Sequence, residues 1–195
     1  MIRTCVGLRG SSAIGVLMSF VILGLAPGFV RAETVTVKNC AVTFATTGNP
    51  VIVKIEGKSG IPCEGKVTLN GGKIASSALS MDLTQLDTGI PLRNKHLREN
   101  YLKTSQFPKA DLKLVELKDL DKQYKGGASA ESEFRADLTV QNVTKPTQEG
   151  KYRITGKQVT ATFRMDLVDY GIERPSFMGV RVVESVLVKV KFGFE

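Results

Sequence analysis

His96 is the only histidine of this 195-residue chain, and it sits in a stretch unlike its surroundings. Between Leu86 and Ala110 the cations Arg93, Lys95, Arg98 and Lys103 gather around it. Four kinds of chemistry could use such a group. Acid–base catalysis by His96 needs a partner for the imidazole and a substrate within reach, and the sequence shows neither. A metal centre needs several His, Cys or carboxylate ligands at set spacings, and there is no second histidine and no C-x-x-C pair. Nucleic-acid contact needs a clustered basic face, and no basic-aromatic module accompanies these cations. The fourth reading is scaffold: a short amphipathic helix bracing one end of a larger structure. Its cations would then be solvated or paired to Asp82, Asp87 or Glu99.

The local spacing supports a helix. Asp87-Thr88-Gly89 can turn the chain out of a strand, and Asp87 or Thr88 could cap the helix that follows. Pro91 suits a first helical turn. Leu92 and His96 are four apart, as are Leu97 and Tyr101, which places each pair on a shared face. The spacing predicts a helix near Pro91–Tyr101, an insertion around residues 90–102.

Almost everywhere else the apolar period is close to two, the signature of strands with one buried face. Val35, Val37, Ala41 and Ala45 share one parity, while Val42 and Phe44 take the other. Val51, Val53 and Ile55 alternate with Lys54 and Glu56. Val67 and Leu69 lead into the hairpin signal Asn70-Gly71-Gly72, and Ala75, Leu79, Met81 and Leu83 follow. Ala110, Leu112 and Leu114 resume the pattern. Then come Phe134, Ala136, Leu138 and Val140; Val159, Ala161, Phe163, Met165 and Leu167; and Val186, Val188, Val190, Phe192 and Phe194.

Eight strands joined mostly by short turns predict an all-β fold, an eight-stranded antiparallel barrel whose closure removes exposed edges. A barrel of this size can fill its interior or hold one small ligand. An outer-membrane barrel also alternates, but it turns its apolar face to lipid between aromatic girdles. This chain has no Trp and four Tyr, so the apolar face belongs inside.

The first 32 residues read as a cleaved signal peptide. Arg3 and Arg9 precede an apolar run from Ala13 to Ala26, Pro27-Gly28 breaks it, and Val30-Arg31-Ala32 fits a cleavage site. The run is about 14 residues, short of the ~20 that span a bilayer. Residues 33–195 then form one domain. Removing Arg3, Arg9 and Arg31 lowers the formal charge from +8 to +5. That mild excess favours transient contact with an anionic membrane surface and is too diffuse for nucleic acid. Export exposes Cys40 and Cys63 to an oxidising compartment, where an even pair favours a disulfide.

Taken in order, Leu86-Asp87-Thr88-Gly89, Leu92-Arg93, His96-Leu97, Tyr101-Leu102, Phe107-Pro108, Leu138-Thr139-Val140, Val143-Thr144-Lys145-Pro146, Asp169-Tyr170-Gly171-Ile172 and Val186-Leu187-Val188-Lys189-Val190 resemble the signature of the YceI-like family. The Cys40/Cys63 pair is not part of that signature. The resemblance implies a lipocalin-like barrel, exported and most often periplasmic, that binds a long isoprenoid or other lipid chain inside. It implies no catalysis, no metal and no required cofactor. Strand parity places Leu79, Met81, Leu83, Leu112, Leu114, Phe134, Leu138, Val140, Phe163, Met165, Val188 and Val190 on the inner wall. Alternation alone does not distinguish a lined cavity from a filled core; the resemblance implies the cavity. Phe177 and Met178 would form an apolar lip at its mouth. Glu184 shares the parity of Val182 and Val186 and would point inward, pair with a cation such as Arg93, or lie outside. An enzyme using His96, or a structural module with a solid core, remain the alternatives on residues alone.

Overall fold

The computed structural model describes residues 32–49, 54–126, 131–177 and 180–195. Residues 1–31 of the expected signal peptide, Val51, Val53 and Met178 lie outside them. Eight strands form the wall: β1 (Glu33–Asn49), β2 (Glu64–Asn70), β3 (Lys73–Asp82), β4 (Lys109–Leu117), β5 (Ser132–Val140), β6 (Gln148–Thr155), β7 (Gln158–Asp166) and β8 (Ser185–Phe194). Each pairs antiparallel with the next in the chain. β8 returns to β1, with Val37 opposite Phe194 and Ala45 opposite Leu187. The meander is therefore a closed barrel of eight antiparallel strands, as the alternation predicts.

The strand count is right, but its composition differs from the sequence reading. The segment expected around Val51–Glu56 and the one around Val67–Leu69 are not two wall positions. Lys54–Ser59 and β2 lie one after the other along β1: Thr47 faces Lys54, Thr43 faces Lys58, and Thr36 faces Lys66. β6 fills the place this leaves. Its inward positions are Gly150, Tyr152 and Ile154, all buried. A glycine at the first of them hides the alternation. Gly150 is there because Phe134 lies over it: a Cβ at residue 150 would run into the Phe134 carbonyl oxygen and come within 3.2 Å of its ring.

Bulges explain the broken parities. In β1 the register shifts between Lys38 and Ala41, with Asn39 at a left-handed φ of 50°. The extra residue rotates the strand, so Cys40, Val42 and Phe44 continue the inner face that Val35 and Val37 begin. Ala41 and Ala45 do not share it, contrary to what uninterrupted parity predicts. A second shift, between Thr68 and Leu69 on β2, leaves Ala75 exposed on β3. A third, after Leu114 on β4, leaves Val115 as the extra, exposed residue and turns Leu117 inward.

The outer face is charged. Lys118 pairs with Glu133, Arg135 with Glu116 across β5 and β4, and Arg164 with Glu149. This polarity is the reverse of a lipid-facing barrel. Among the described residues no helix is long and apolar enough to cross a membrane.

One end of the barrel carries the helical insertion. The α-helix α1 (Pro91–His96) runs directly into a π-helical turn, Leu97–Tyr101. The expected span is therefore helical throughout, but its cap is not the expected one. The N-cap is Ile90, without a side-chain cap bond; Asp87 and Thr88 act through Asn94 instead. A second short helix, α2 (Leu120–Gly126), covers part of the opposite end. We expect Gly150→Ala to lower the unfolding free energy by about 1–3 kcal/mol in a urea titration, the usual cost of overpacking a tight site. An unchanged midpoint and slope would show that Phe134 moves aside freely.

Candidate functional site

The strands do not meet in the middle. They enclose a cavity of about 600 Å³, within the ~300–1,000 Å³ of small-molecule sites. Leu79, Met81 and Leu83 of and after β3, Leu112 and Leu114 of β4, and Phe134, Leu138 and Val140 of β5 all line it. So do Phe163 and Met165 of β7 and Val188 and Val190 of β8. These twelve side chains, placed on the inner wall from strand parity, thus all border the space. The backbone of Phe177, the expected lip residue, pairs with Val180 in a short ribbon; its side chain lies outside the described residues.

Packing around the lumen is aromatic on one side. The Phe134 ring meets Tyr152 edge-on at 6.5 Å and Phe163 at 6.3 Å, the T-shaped geometry that ring quadrupoles favour. Phe44 lies across the strand from Gly57, whose missing side chain makes room for its ring. Tyr152 brings a hydroxyl into this apolar region and satisfies it by donating to the Lys118 carbonyl at 2.6 Å. Burial pushes its phenol up to about 12, with a smaller contribution from Asp119. Tyr170 is likewise raised to about 12 by burial, then by Asp169 and Asp137. Nearby, the buried Gln123 of α2 accepts from the Ile154 amide at 3.2 Å and donates to Ser132 Oγ at 2.9 Å. None of these three polar residues is legible as an interior position in the sequence, because each interrupts an otherwise apolar pattern or lies in a connection.

Cys40 and Cys63 form the expected disulfide, with Cα atoms 5.0 Å apart, and both line the cavity. They join β1 at its bulge to the break between Lys54–Ser59 and β2, where the ladder is interrupted. Closing a loop of this length stabilises a chain by about 2–4 kcal/mol in the loop-entropy account.

The helical insertion forms the rim. Ile90, Arg93, His96, Leu97, Tyr101 and Leu102 border the cavity. Tyr101 ties the rim down twice: its carbonyl accepts from Gln141 Nε2, and its hydroxyl accepts from the Ser176 amide at 3.3 Å. Arg98 donates to the Leu86 carbonyl. At the helix start, Asn94 Oδ1 accepts from both the amide and hydroxyl of Thr88, and Asn94 Nδ2 donates to Asp87. Asp87 also accepts from the Gly89 amide, and these two bonds hold its carboxyl below the usual range. Asp82 is lowered chiefly by the hydroxyl and amide of Thr84. Of the three carboxylates offered as partners for helix cations that are not simply solvated, only Glu99 comes within ion-pair distance, 4.0 Å from Lys95. Glu184 lies just before β8 and pairs with Arg174 at 3.1 Å, not with Arg93.

His96 thus belongs to the wall of the cavity mouth, and among the described residues no three His, Cys, Asp or Glu side chains gather as a metal site. The family model for the YceI-like domain matches residues 34–194. The chain belongs to the YceI-like family. No curated protein matches it by sequence. Solved structures share this YceI-like fold at low identity. A polyisoprenoid binding domain from Saccharophagus degradans is 13% identical with a TM-score of 0.61, covering 83% of this chain and 97% of its own. Burkholderia cenocepacia BcnA is 13% identical with a TM-score of 0.58, covering 78% and 94%. A mutant Campylobacter jejuni YceI protein with a monobromobimane guest is 12% identical with a TM-score of 0.53, covering 74% and 86%.

The YceI-like barrel should lose stability in alkali through its two buried phenols. Their folded pKa values lie above the ordinary value of 10, so the unfolded chain releases these protons first. Stability is intact below pH 10 and falls between about pH 10 and 12. Tyr152→Phe should make that fall shallower in denaturant titrations across this range; an unchanged pH slope would contradict the assignment.

Proposed function

We propose that this protein is an exported, non-catalytic carrier that takes a long isoprenoid or similar lipid into its barrel. The observation that carries the reading is the cavity of about 600 Å³ enclosed by apolar side chains from all around the wall. Burying roughly 500 Å² of hydrocarbon at about 25 cal/mol per Å² yields a gross gain near 12 kcal/mol. Ordering the chain and losing its free motion offset a large part of that. The remainder is compatible with reversible carriage and needs no covalent chemistry. One fold neighbour, the Saccharophagus degradans domain, is a polyisoprenoid binding domain, which supports the same ligand class here.

Residues 1–32 act as the signal peptide in this reading, and the disulfide suits an oxidising compartment such as the periplasm. Delivery to a membrane fits the rim: Ile90 and Leu92 are 48% and 50% exposed beside the basic residues of α1, a combination suited to an anionic lipid surface.

Organic extraction of natively purified protein, followed by mass spectrometry, should recover a long-chain lipid in near-stoichiometric amount. Recovery of none, together with failure to bind any long-chain lipid added afterwards, would refute carriage. Ala161 lines the cavity from β7. Ala161→Phe should fill part of it and weaken long-chain binding by about tenfold or more while the folded state persists. Undiminished binding would place the ligand elsewhere.

A further inference from the structure

We infer that the lipid carries an anionic head group and that Arg93 receives it; this rests on the carrier reading and specifies its ligand. Arg93 is the only Lys, Arg, Asp or Glu side chain on the cavity lining among the described residues. It stands at the rim, half-buried, where an apolar lumen gives way to solvent. Its Nε donates to Thr88 Oγ1 at 2.8 Å, and one terminal nitrogen donates to the Thr88 carbonyl. A guanidinium has five N–H groups. Two are used on Thr88, which fixes the plane of the group, and three remain.

Among the described residues no carboxylate forms an ion pair with this cation. The acidic group nearest in the bonding network, Asp87, reaches it only through Asn94 and Thr88. The cations that lower the Asp87 carboxyl are Lys58 and Arg98. Glu184, the other candidate partner, is taken by Arg174, and Glu99 by Lys95. The residues outside the described ones contain no Asp or Glu at all: residues 1–31, 50–53, 127–130 and 178–179 carry none.

A half-desolvated charge without a counter-charge is costly to keep, and a guanidinium held in a fixed plane is well suited to a carboxylate or phosphate, which it can bind through two parallel hydrogen bonds. The tail of a ligand lying in the lumen would bring its head to this rim. Thr88, Asn94 and Asp87 are positioning residues: they orient Arg93 without consuming its charge. An oxyanion at the head completes the pair that the chain itself leaves open.

The test holds the tail constant and changes the head. Farnesyl phosphate, farnesoate and farnesol are titrated calorimetrically into delipidated protein, and into Arg93→Gln and Arg93→Lys variants whose folding is checked by circular dichroism. The two anions should bind the native protein at least about tenfold more tightly than the alcohol. Arg93→Gln should bring that ratio close to one. Arg93→Lys should keep part of it, since charge remains while the two-bond geometry is lost. Equal affinity of all three ligands for the native protein overturns the inference, as does a preference that survives in Arg93→Gln. Should Arg93→Gln fail to fold, an Arg93→Lys ratio equal to the native one overturns it. The order of phosphate and carboxylate identifies which anion the rim suits. Absence of binding by all three, with no lipid in the native extract, instead removes the carrier reading on which this depends.

Discussion

The short ladder between Glu33–Thr36 and Lys66–Leu69 is the constraint on which the rest of the architecture depends. It joins the first strand to the second on one side, while Val37–Ala45 joins it to the last strand on the other. One strand with two bonded edges turns an open sheet into a ring. An open sheet of eight strands would have to cover its apolar face with a second layer, and its edges would remain available for pairing. A ring covers that face with itself. Whether the interior is filled then depends on the width that strand number and stagger set and on side-chain size, and here Val and Ala positions such as Val42, Val67, Ala161 and Val188 leave a space open. The cavity follows from closure combined with modest side chains.

Closing a barrel with a 17-residue strand requires places where the chain can kink. β1 kinks at Asn39, and its partner breaks between Ser59 and Glu64, close to the same level. The Cys40–Cys63 disulfide spans that level. The bridge therefore reinforces the wall where the backbone ladder is weakest. The rim has a parallel arrangement. The α1 start lacks a side-chain cap, and Asn94, reaching back to Asp87 and Thr88, substitutes for one. The same contacts fix the loop from which Arg93 is oriented, so the scaffold and the ligand-facing residue share one network.

Much of this is legible in the sequence because strand alternation is a strong signal where it is unbroken. β5, β7 and β8 alternate cleanly, and Phe134, Leu138, Val140, Phe163, Met165 and Val188 are where their parity places them. The failures have physical causes. Bulges reverse parity without marking the sequence, so parity alone misplaces Ala41, Ala45 and Ala75. Gly150 removes a side chain from an inward position so that Phe134 can occupy it, which conceals β6. Two segments along one long partner, Lys54–Ser59 and β2, resemble two separate strands in a linear reading. Hollowness is not legible at all from alternation, since apolar residues that line a space and those that fill it share one pattern. Arg93 passes for a surface cation because helical spacing says which face a residue occupies and nothing about what that face overlooks.

Carriage requires a hydrocarbon tail to lie between apolar side chains of opposite walls. Met81 and Met165 border that space from β3 and β7, well apart in the strand order, and their methyl groups report on it directly. Protein carrying ¹³C-methyl methionine, mixed with an otherwise unlabelled long-chain lipid, should show nuclear Overhauser contacts from both methyls to the same lipid chain. Contacts between the methionines and neighbouring protein side chains only, with both methyl signals unmoved by saturating lipid, would contradict the account.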